Sequence, residues 1–445
     1  MQSLKPPGNP PPRKPSRVRM LPGFDGEGPE SDRRKFFRTM AGASLPALVL
    51  LTGNAGPSMA QAAKATTKGD TGTVRIVRDF LDPRLELVRL LREAAEIEHS
   101  LALQYLYGAF SLKPLYQDLV GAGNPNPDDL LGIAVQEMQH LADVNRLLVE
   151  VGATPVLIRQ DFPYEADIYP FPLNLEPLTR ESLAKYTYCE APVAALDRAR
   201  VKTADDVAFI DKIEAVLGGS AKPNHVGSLY DRVLEVIREL ARRPGELRAP
   251  DRWITRFKQI KEEGEEGHFK FFKAAFMGTH KAFKNRPDVW ELPSDDERYP
   301  SRRLAVNPSA YVGQENQISD QLSLRLAWLG NLHYWLFLMV FDVAYRTGSV
   351  PHIDAGKMVM MGPFWALARF LPTRGFTGMP FDQLSMGYSI GVDQRQNQRM
   401  MTALAGEIGK WETRLKSDLP EDYAPGIAKQ ALEAIGPSRP VQKGR

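Results

Sequence analysis

GIAVQEMQHLADVNRLL, residues 132–148, is the stretch that decides the fold of this chain. Its apolar side chains recur at helical spacing, as at Ala134 and Leu141, and they form one face of an α-helix. Glu137 and His140 fall on the same face, so the helix points a carboxylate and an imidazole at the core. Burying an unpaired carboxylate costs several kcal/mol, and the sequence therefore requires a cation, a metal or a hydrogen-bond network beside Glu137.

The Glu-x-x-His spacing of that helix occurs a second time, at Glu265 and His268, in a helix predicted over residues 252–276. The spacing places a carboxylate oxygen and an imidazole nitrogen on adjacent turns, where both can bind one metal ion. The second motif also contains Gly264 and Gly267, each costing about 1 kcal/mol relative to Ala in a helix. Such a cost indicates a close backbone approach at this point.

Two more carboxylates occupy core positions of predicted helices. Glu98 lies in the apolar stripe of a helix predicted over residues 83–110, and Tyr105 follows two turns later, where it can hydrogen-bond a metal-bound carboxylate. Glu190 faces inward on a helix that begins at the N-cap residue Thr179. The predicted metal ligands are thus Glu98, Glu137, His140, Glu190, Glu265 and His268. Tyr105 is expected to hydrogen-bond one of these carboxylates without binding metal itself.

This ligand set is typical of a carboxylate-bridged dinuclear iron or manganese centre. Bridging carboxylates neutralise two dications, while imidazoles complete each coordination shell and leave positions open for dioxygen or substrate.

Other interpretations of the same residues stay open. Glu137 and His140 also suit a buried acid–imidazole pair without metal. Glu265 has charged neighbours typical of a solvated face, and Glu190 could cap the end of its helix. A helix predicted over residues 226–240 could supply the third-helix ligand in place of Glu190. His99, next to Glu98, is expected at the surface or around the ligands.

The composition excludes few classes of protein. The formal charge of +3 comes from residues 1–60, which hold nine Lys or Arg against four Asp or Glu, so no nucleic-acid partner is expected. Cys189 is the only cysteine, so the chain has no internal disulfide. Residues 326–341 form the longest uncharged run of an apolar helix predicted over 319–345; the run is short for a membrane span and favours a buried helix.

The N-terminus is typical of an export signal. Eight prolines in residues 1–30 predict disorder. Arg33 and Arg34 then precede an uncharged run at residues 40–51 and the small residues around Ala60, which is the order of a twin-arginine signal. We expect the twin-arginine machinery to export the folded protein to the periplasm or the medium.

Four segments, in chain order, resemble a known family: AAEIEHSLALQYLYGAFSL, IAVQEMQHLADVNRLLVEVGATP, YTYCEAP and EEGEEGH. They resemble the ferritin-like domain family that includes the iminophenyl-pyruvate dimer synthases of bacterial pigment pathways. NLHYWLFLMVFD and GFTGMPFDQL resemble the family's C-terminal part, so the likeness covers roughly residues 80–390. The chain departs from the family at Gly227-Ser228-Leu229-Tyr230, where an acidic residue is usual, and at His268, where the family commonly has no histidine.

The resemblance implies a four-helix core and a metal- or haem-assisted oxidation of amino-acid-derived substrates. Position by position, it supports Glu98, Glu137, His140, Glu190 and Glu265. We therefore expect an all-α protein: a signal region at 1–62, a ferritin-like four-helix core at 75–285, a C-terminal helical extension with long Pro-rich loops at 286–420, and a flexible tail at 421–445.

The expected function is that of a di-iron or di-manganese oxidoreductase acting on a small organic substrate, with haem left open as a cofactor. The alternative is an exported iron-handling protein without turnover. A homo-oligomeric assembly is left open.

Overall fold

The computed structural model describes residues 76, 78–159, 171–218, 226–284, 286, 288–384 and 393–436. Within these ranges the chain is helical and has no β-strand, only two isolated bridges, Leu112 with Ser301 and Ser309 with Gln317. The predicted all-α fold class is confirmed. The predicted export signal, with Arg33 and Arg34, lies outside the described residues. The described helices belong to one compact unit, Asp70–Arg445.

Twelve helices of eight residues or more are described, and two π-helical segments interrupt them. The helices are α1 Pro83–Ser111, α2 Leu130–Glu150, α3 Arg180–Glu190, α4 Ala204–Leu217, α5 Val226–Ala241, α6 Pro250–Glu262, α7 Phe269–Phe276, α8 Gln321–Thr347, α9 Val350–Val359, α10 Trp365–Arg374, α11 Gln394–Arg414 and α12 Ile427–Ile435. The π segments are Glu263–His268 and Met360–Phe364. Short helical turns lie at Pro114–Tyr116, Gln117–Val120, Val193–Leu196, Lys281–Phe283 and Val289–Glu291.

The bundle is built from α1, α2, α5 and the continuous rod of α6, the first π segment and α7. α1 packs on α2 and α5, and α5 packs on α6. Helix starts are fixed by side chains: Asp82 accepts hydrogen bonds from two backbone N–H groups of α1, and Asp129 accepts one at the start of α2. α3 lies against α7, and Thr179 begins it with the predicted cap, reinforced by Ser182.

The rod is not a regular α-helix. Between α6 and α7, Glu263–His268 form a π segment, in which the N–H of Phe269 donates to the carbonyl of Gly264, five residues back. A π turn adds one residue to the helical repeat and rotates the side chains that follow.

The C-terminal helices form a second layer over α1 and α2. α8 packs on α2, α9 and α11, while α10 contacts α1. Among the described helices, α8 alone is long and apolar enough to cross a membrane, but 89% of its most apolar window is buried inside the protein.

The predicted flexible tail contains α12, whose Ala431 and Leu432 are buried and which packs on α9 and α11. Within the tail, Tyr423 receives a hydrogen bond from His333 at 2.7 Å and donates one to Glu412 at 2.8 Å. The prediction of a flexible tail is therefore wrong for residues 421–436. The apolar face of α12 is short, and its sequence alone does not reveal the surface that covers it.

Candidate metal centre

Two groups of buried side chains inside the bundle have the composition of metal-binding sites. One group is Glu98, Glu137 and His140, and the other is Glu137, Glu190 and His268. Within each group the potential ligand atoms lie within 4.8 Å of one another. The groups share Glu137, which therefore occupies the position of a bridging carboxylate. Five of the six residues predicted as ligands are thus brought together.

The imidazoles stand on either side of Glu137. Nδ1 of His140 lies 3.0 Å from Oε2 of Glu137 and 3.5 Å from Oε2 of Glu98. Nδ1 of His268 lies 2.9 Å from Oε1 of Glu137 and 3.6 Å from Oε2 of Glu190. Each half thus offers one imidazole nitrogen, one outer carboxylate and one oxygen of the shared carboxylate.

The outer nitrogen of each imidazole is held by an oxygen outside the ligand set. Nε2 of His140 lies 2.6 Å from Oε2 of Glu263, and Nε2 of His268 lies 3.2 Å from Oε1 of Gln136. A carboxylate or amide oxygen can only accept here, so each Nε2 carries the hydrogen and donates. Nδ1 therefore faces the shared carboxylate, and once it gives up its proton its lone pair is available to a metal ion.

Each outer carboxylate is held by a tyrosine. The hydroxyl of Tyr105 donates to Oε1 of Glu190 at 2.5 Å, and the hydroxyl of Tyr230 donates to Oε1 of Glu98. Both tyrosines are buried. In each carboxylate the tyrosine therefore occupies one oxygen and leaves the other, Oε2, facing an imidazole.

Without metal, the cluster is balanced by protons. Burial and the neighbouring Glu137 raise the pKa of Glu98 to about 8. Burial opposes ionisation of Glu137 as well, but His268, Glu98 and His140 outweigh it and hold the pKa of Glu137 well below its usual range. Burial would lower the pKa of His268, yet the adjacent Glu137 raises it to about 9. The site thus demands positive charge beside Glu137.

Several ligand atoms fit metal ions better than they fit one another. Oε2 of Glu98, Oε1 of Glu137 and Nδ1 of His268 are buried and have no hydrogen-bond partner among the described residues. Nδ1 of His268 and Oε1 of Glu137 are nevertheless only 2.9 Å apart. Donor atoms bound to one transition metal, each about 2.1 Å from it, lie at such separations. The cavity among them measures about 20 Å³, the size of a water molecule or an ion.

Glu265, the sixth predicted ligand, is not in either group. Its carboxylate lies 3.7 Å from Nζ of Lys261 at the outer edge of the cavity, with 23% of its side chain exposed. Glu263 approaches His140 in its place. The prediction assumed α-helical geometry, in which residues 265 and 268 share a face, whereas in the π segment Glu263 and His268 stand five residues apart on successive turns.

Three side chains of the site were not predicted: Gln136, Tyr230 and Glu263. Of the two helices considered for the third carboxylate, α3 places Glu190 in one of the groups, whereas α5 places the phenol of Tyr230 against Glu98. In the sequence, the π segment was indicated only by Gly264 and Gly267, which predicted a close backbone approach. A Cβ atom at Gly264 would come within 2.9 Å of Oε2 of Glu190, so this is the predicted close approach.

His99 is neither exposed nor near the ligands. It is buried on another side of α1, where the hydroxyl of Tyr334 lies 3.0 Å from its Nε2. The expectation of a surface position was wrong because α8 covers this side of the bundle.

Comparison with known proteins agrees with this architecture. Residues 91–279 match the family model described as Ferritin-like. The chain is 33% identical over 136 residues to dichlorochromopyrrolate synthase of Lentzea aerocolonigenes, in a match that covers 25% of this chain and 13% of that enzyme. The chain thus spans a small part of the relative's length, and no solved structure matches it. Residues 91–279 contain both groups of buried side chains, and over these residues the predicted resemblance is confirmed: this part of the chain is a ferritin-like domain.

Proposed function

We propose that the domain binds two iron or manganese ions and acts as an oxidoreductase. The observation that supports this most directly is the pair of buried ligand groups joined at Glu137. Three carboxylates and two neutral imidazoles compensate two dications almost completely, which is how a buried acidic cluster becomes stable. The relative's name, a synthase, is consistent with an enzyme of this class.

The chain's own residues would position and tune the metal ions. Glu263 and Gln136 would hold His140 and His268 in the metal-binding tautomer, and the negative charge of Glu263 would make His140 the more basic ligand. Tyr105 and Tyr230 would fix the outer carboxylates. When bound, the metal pair would supply redox equivalents and open coordination positions for dioxygen or a reduced oxygen species.

The size of the cavity bears on the substrate. A space of about 20 Å³ admits a diatomic molecule or peroxide, but an amino-acid-derived substrate would require the wall to open. Lys261 and Glu265 form part of the outer wall and are each 23% exposed. We propose this side as the entry for an organic substrate. The same space is far too small for haem.

The small volume of the cavity also favours a second candidate function, that of a metal-binding or iron-handling protein without organic turnover. Oxygen consumption by the iron-loaded protein distinguishes the two candidates. An oxidoreductase consumes dioxygen repeatedly when a reductant is supplied, whereas a storage protein consumes it only in proportion to the iron added.

Metal analysis of purified Glu137→Gln protein tests the dinuclear site. We expect about two metal ions per chain in the parent after anaerobic loading and fewer than one in Glu137→Gln, because the shared carboxylate belongs to both halves. Glu265→Gln is the matched control, since Glu265 lies outside both groups, and it should keep the parent's metal content. Less than one metal ion per chain in the parent would overturn the proposal.

We also propose that the protein is exported through the twin-arginine pathway, on the strength of Arg33, Arg34 and the apolar run that follows them. Replacing both arginines with lysine should keep the protein in the cytoplasm. Unchanged export of that variant would contradict this.

A further inference from the structure

A second and much larger cavity, of about 600 Å³, lies between α1, α2, α8 and α9. Six aromatic side chains dominate its wall: Tyr334, Phe337, Phe341, Tyr345, Phe364 and Phe381. Small-molecule sites typically measure about 300–1,000 Å³ and have mainly apolar walls with few polar groups. The cavity therefore has the size and the lining of a ligand site.

This cavity is separate from the metal centre. Among the described residues, no side chain lines both. Glu98 and Glu137 line the metal cavity, whereas the residues that follow them in sequence, His99 and Met138, line the large one. The pair α1 and α2 therefore stands between them, and a molecule in the large cavity does not reach the metal ligands.

The charged groups of the lining are mainly cationic. Arg146, Arg256 and Lys357 face a single lining carboxylate, Asp143. Asp143 binds Arg146 at 2.9 Å and Arg256 at 2.5 Å. Even when Glu263, 3.6 Å from Arg256, is counted, one positive charge remains uncompensated. Arg146 is also accessible, with 44% of its side chain exposed.

The inner end of the cavity is lined by buried side chains, where the hydroxyl of Tyr334 lies 3.0 Å from Nε2 of His99. A ligand would therefore place an apolar body inward against the aromatic rings and an anionic group outward at the cations.

We propose that this cavity binds a small amphipathic anion, an apolar body that carries one carboxylate, with the carboxylate at Arg146 and Lys357. The proposal does not depend on the proposed function, because the site shares no residue with the metal ligands. It can be tested on metal-free and metal-loaded protein alike.

Isothermal titration calorimetry with two matched pairs tests the charge requirement. The pairs are 4-phenylbutanoate with 4-phenylbutanol and decanoate with decanol, which also distinguish an aromatic body from an aliphatic one. We expect at least one carboxylate to bind with a stoichiometry of one and about ten times more tightly than its alcohol, since a charge-assisted contact is lost in the alcohol. Equal affinity for acid and alcohol in both pairs, or no binding, would overturn the proposal.

Two variants locate the binding. Arg146→Gln should weaken carboxylate binding about tenfold and leave alcohol binding within twofold, while Ala142→Phe, which fills part of the cavity, should weaken both. Lys410→Gln removes an exposed cation of α11 outside the cavity and should change neither. Arg146 lies at the surface, so its variant remains informative if Ala142→Phe does not fold.

One result would move the site and another would change its ligand. If Arg146→Gln leaves the affinity for the carboxylate unchanged, the anionic group does not bind at Arg146. If the purified protein shows a Soret absorption band and Ala142→Phe abolishes it, haem is the ligand of this cavity. Either result overturns the proposal.

Discussion

At the scale of single residues, the chemistry of the site depends on which nitrogen of each imidazole is free. Glu263 and Gln136 settle this by accepting from Nε2 of His140 and His268. These acceptors lie outside the ligand set, yet they determine whether Nδ1 can bind a metal. Helical periodicity identified five of the buried carboxylates and imidazoles but could not identify the acceptors of the imidazoles, because acceptors on other turns and other helices have no fixed spacing from the histidines.

The role of Glu263 predicts a graded loss of metal affinity. Glu263→Gln keeps an acceptor for Nε2 of His140 but removes its charge, so we expect affinity to fall about tenfold; Glu263→Ala removes the acceptor and should cost up to about a hundredfold. Competition titration with a chelator measures both. The neighbouring Glu262→Gln is the control and should bind metal like the parent. Equal affinity of Glu263→Ala and parent would show that the contact does not support the site.

His333 predicts a pH dependence of stability away from the metal centre. It is buried, and burial lowers its pKa to about 3, whereas an unfolded histidine titrates near 6.5. The unfolded chain therefore takes up a proton below about pH 6.5 that the folded chain refuses, so stability falls as the pH falls. For this one residue we expect the free energy of unfolding to drop by about 2 kcal/mol between pH 7 and pH 5.

Urea unfolding of parent and His333→Gln at both pH values measures this contribution. The variant should be less stable at pH 7, because it disturbs the contact with Tyr423. Its further loss on acidification should be about 2 kcal/mol smaller than that of the parent. Parallel losses in the two proteins would contradict the assigned neutral state of His333.

At the scale of elements, the long helices and the buried carboxylates on them follow from the sequence, but the π segment does not. The predicted bounds of α1, α2 and α5 agree with the structure to within a few residues, because apolar stripes and caps define them. The rod of α6 and α7 was predicted as one continuous α-helix. That geometry predicted that Glu265 faces the core, whereas in the structure the π segment brings Glu263 to His140. The π turn depends on packing against other helices, which the local sequence signals only through its glycines.

Gly264 permits a test of this element. Alanine in place of a helical glycine normally stabilises by about 1 kcal/mol, and this is expected for Gly409→Ala in α11, where a Cβ meets nothing within 4 Å. At Gly264 the new Cβ would come within 2.9 Å of Oε2 of Glu190, which Tyr105 holds in place. We therefore expect Gly264→Ala to gain no stability.

The same substitution should weaken metal binding about tenfold, because Glu190 must move. Thermal unfolding of the two alanine variants, followed by chelator competition, makes the comparison. Equal stabilisation in both variants, with unchanged metal affinity, would show that the π segment accommodates a Cβ atom at position 264 without moving Glu190.

At the scale of the whole molecule, the C-terminal helices enclose the bundle and create the large cavity between α2 and α8. The sequence predicted an extension packed on a core, but it predicted neither the cavity nor the buried position of His99. Such features depend on the relative placement of helices more than 200 residues apart, as for His99 and Tyr334. Local sequence patterns carry no information about which of these distant helices come into contact.

The C-terminal residues predict a clear effect of truncation. Deleting 421–445 removes the Tyr423 hydroxyl between His333 and Glu412 and the buried side chains of α12. We expect a loss of several kcal/mol, since each buried Leu or similar side chain contributes about 1.5–3 kcal/mol. Lys429→Gln, which changes an exposed side chain of α12, is the control and should leave the melting temperature unchanged. A full deletion that melts like the parent would contradict the assigned packing of α12.

The proposed function depends above all on two metal ions held on either side of Glu137. Anomalous scattering from crystals of the metal-loaded protein, collected on both sides of the iron or manganese absorption edge, tests this most directly. We predict two peaks about 3.5–4 Å apart, one contacting His140 and Glu98, the other His268 and Glu190, and both contacting Glu137. A loaded crystal with no peak among these residues would contradict the claim.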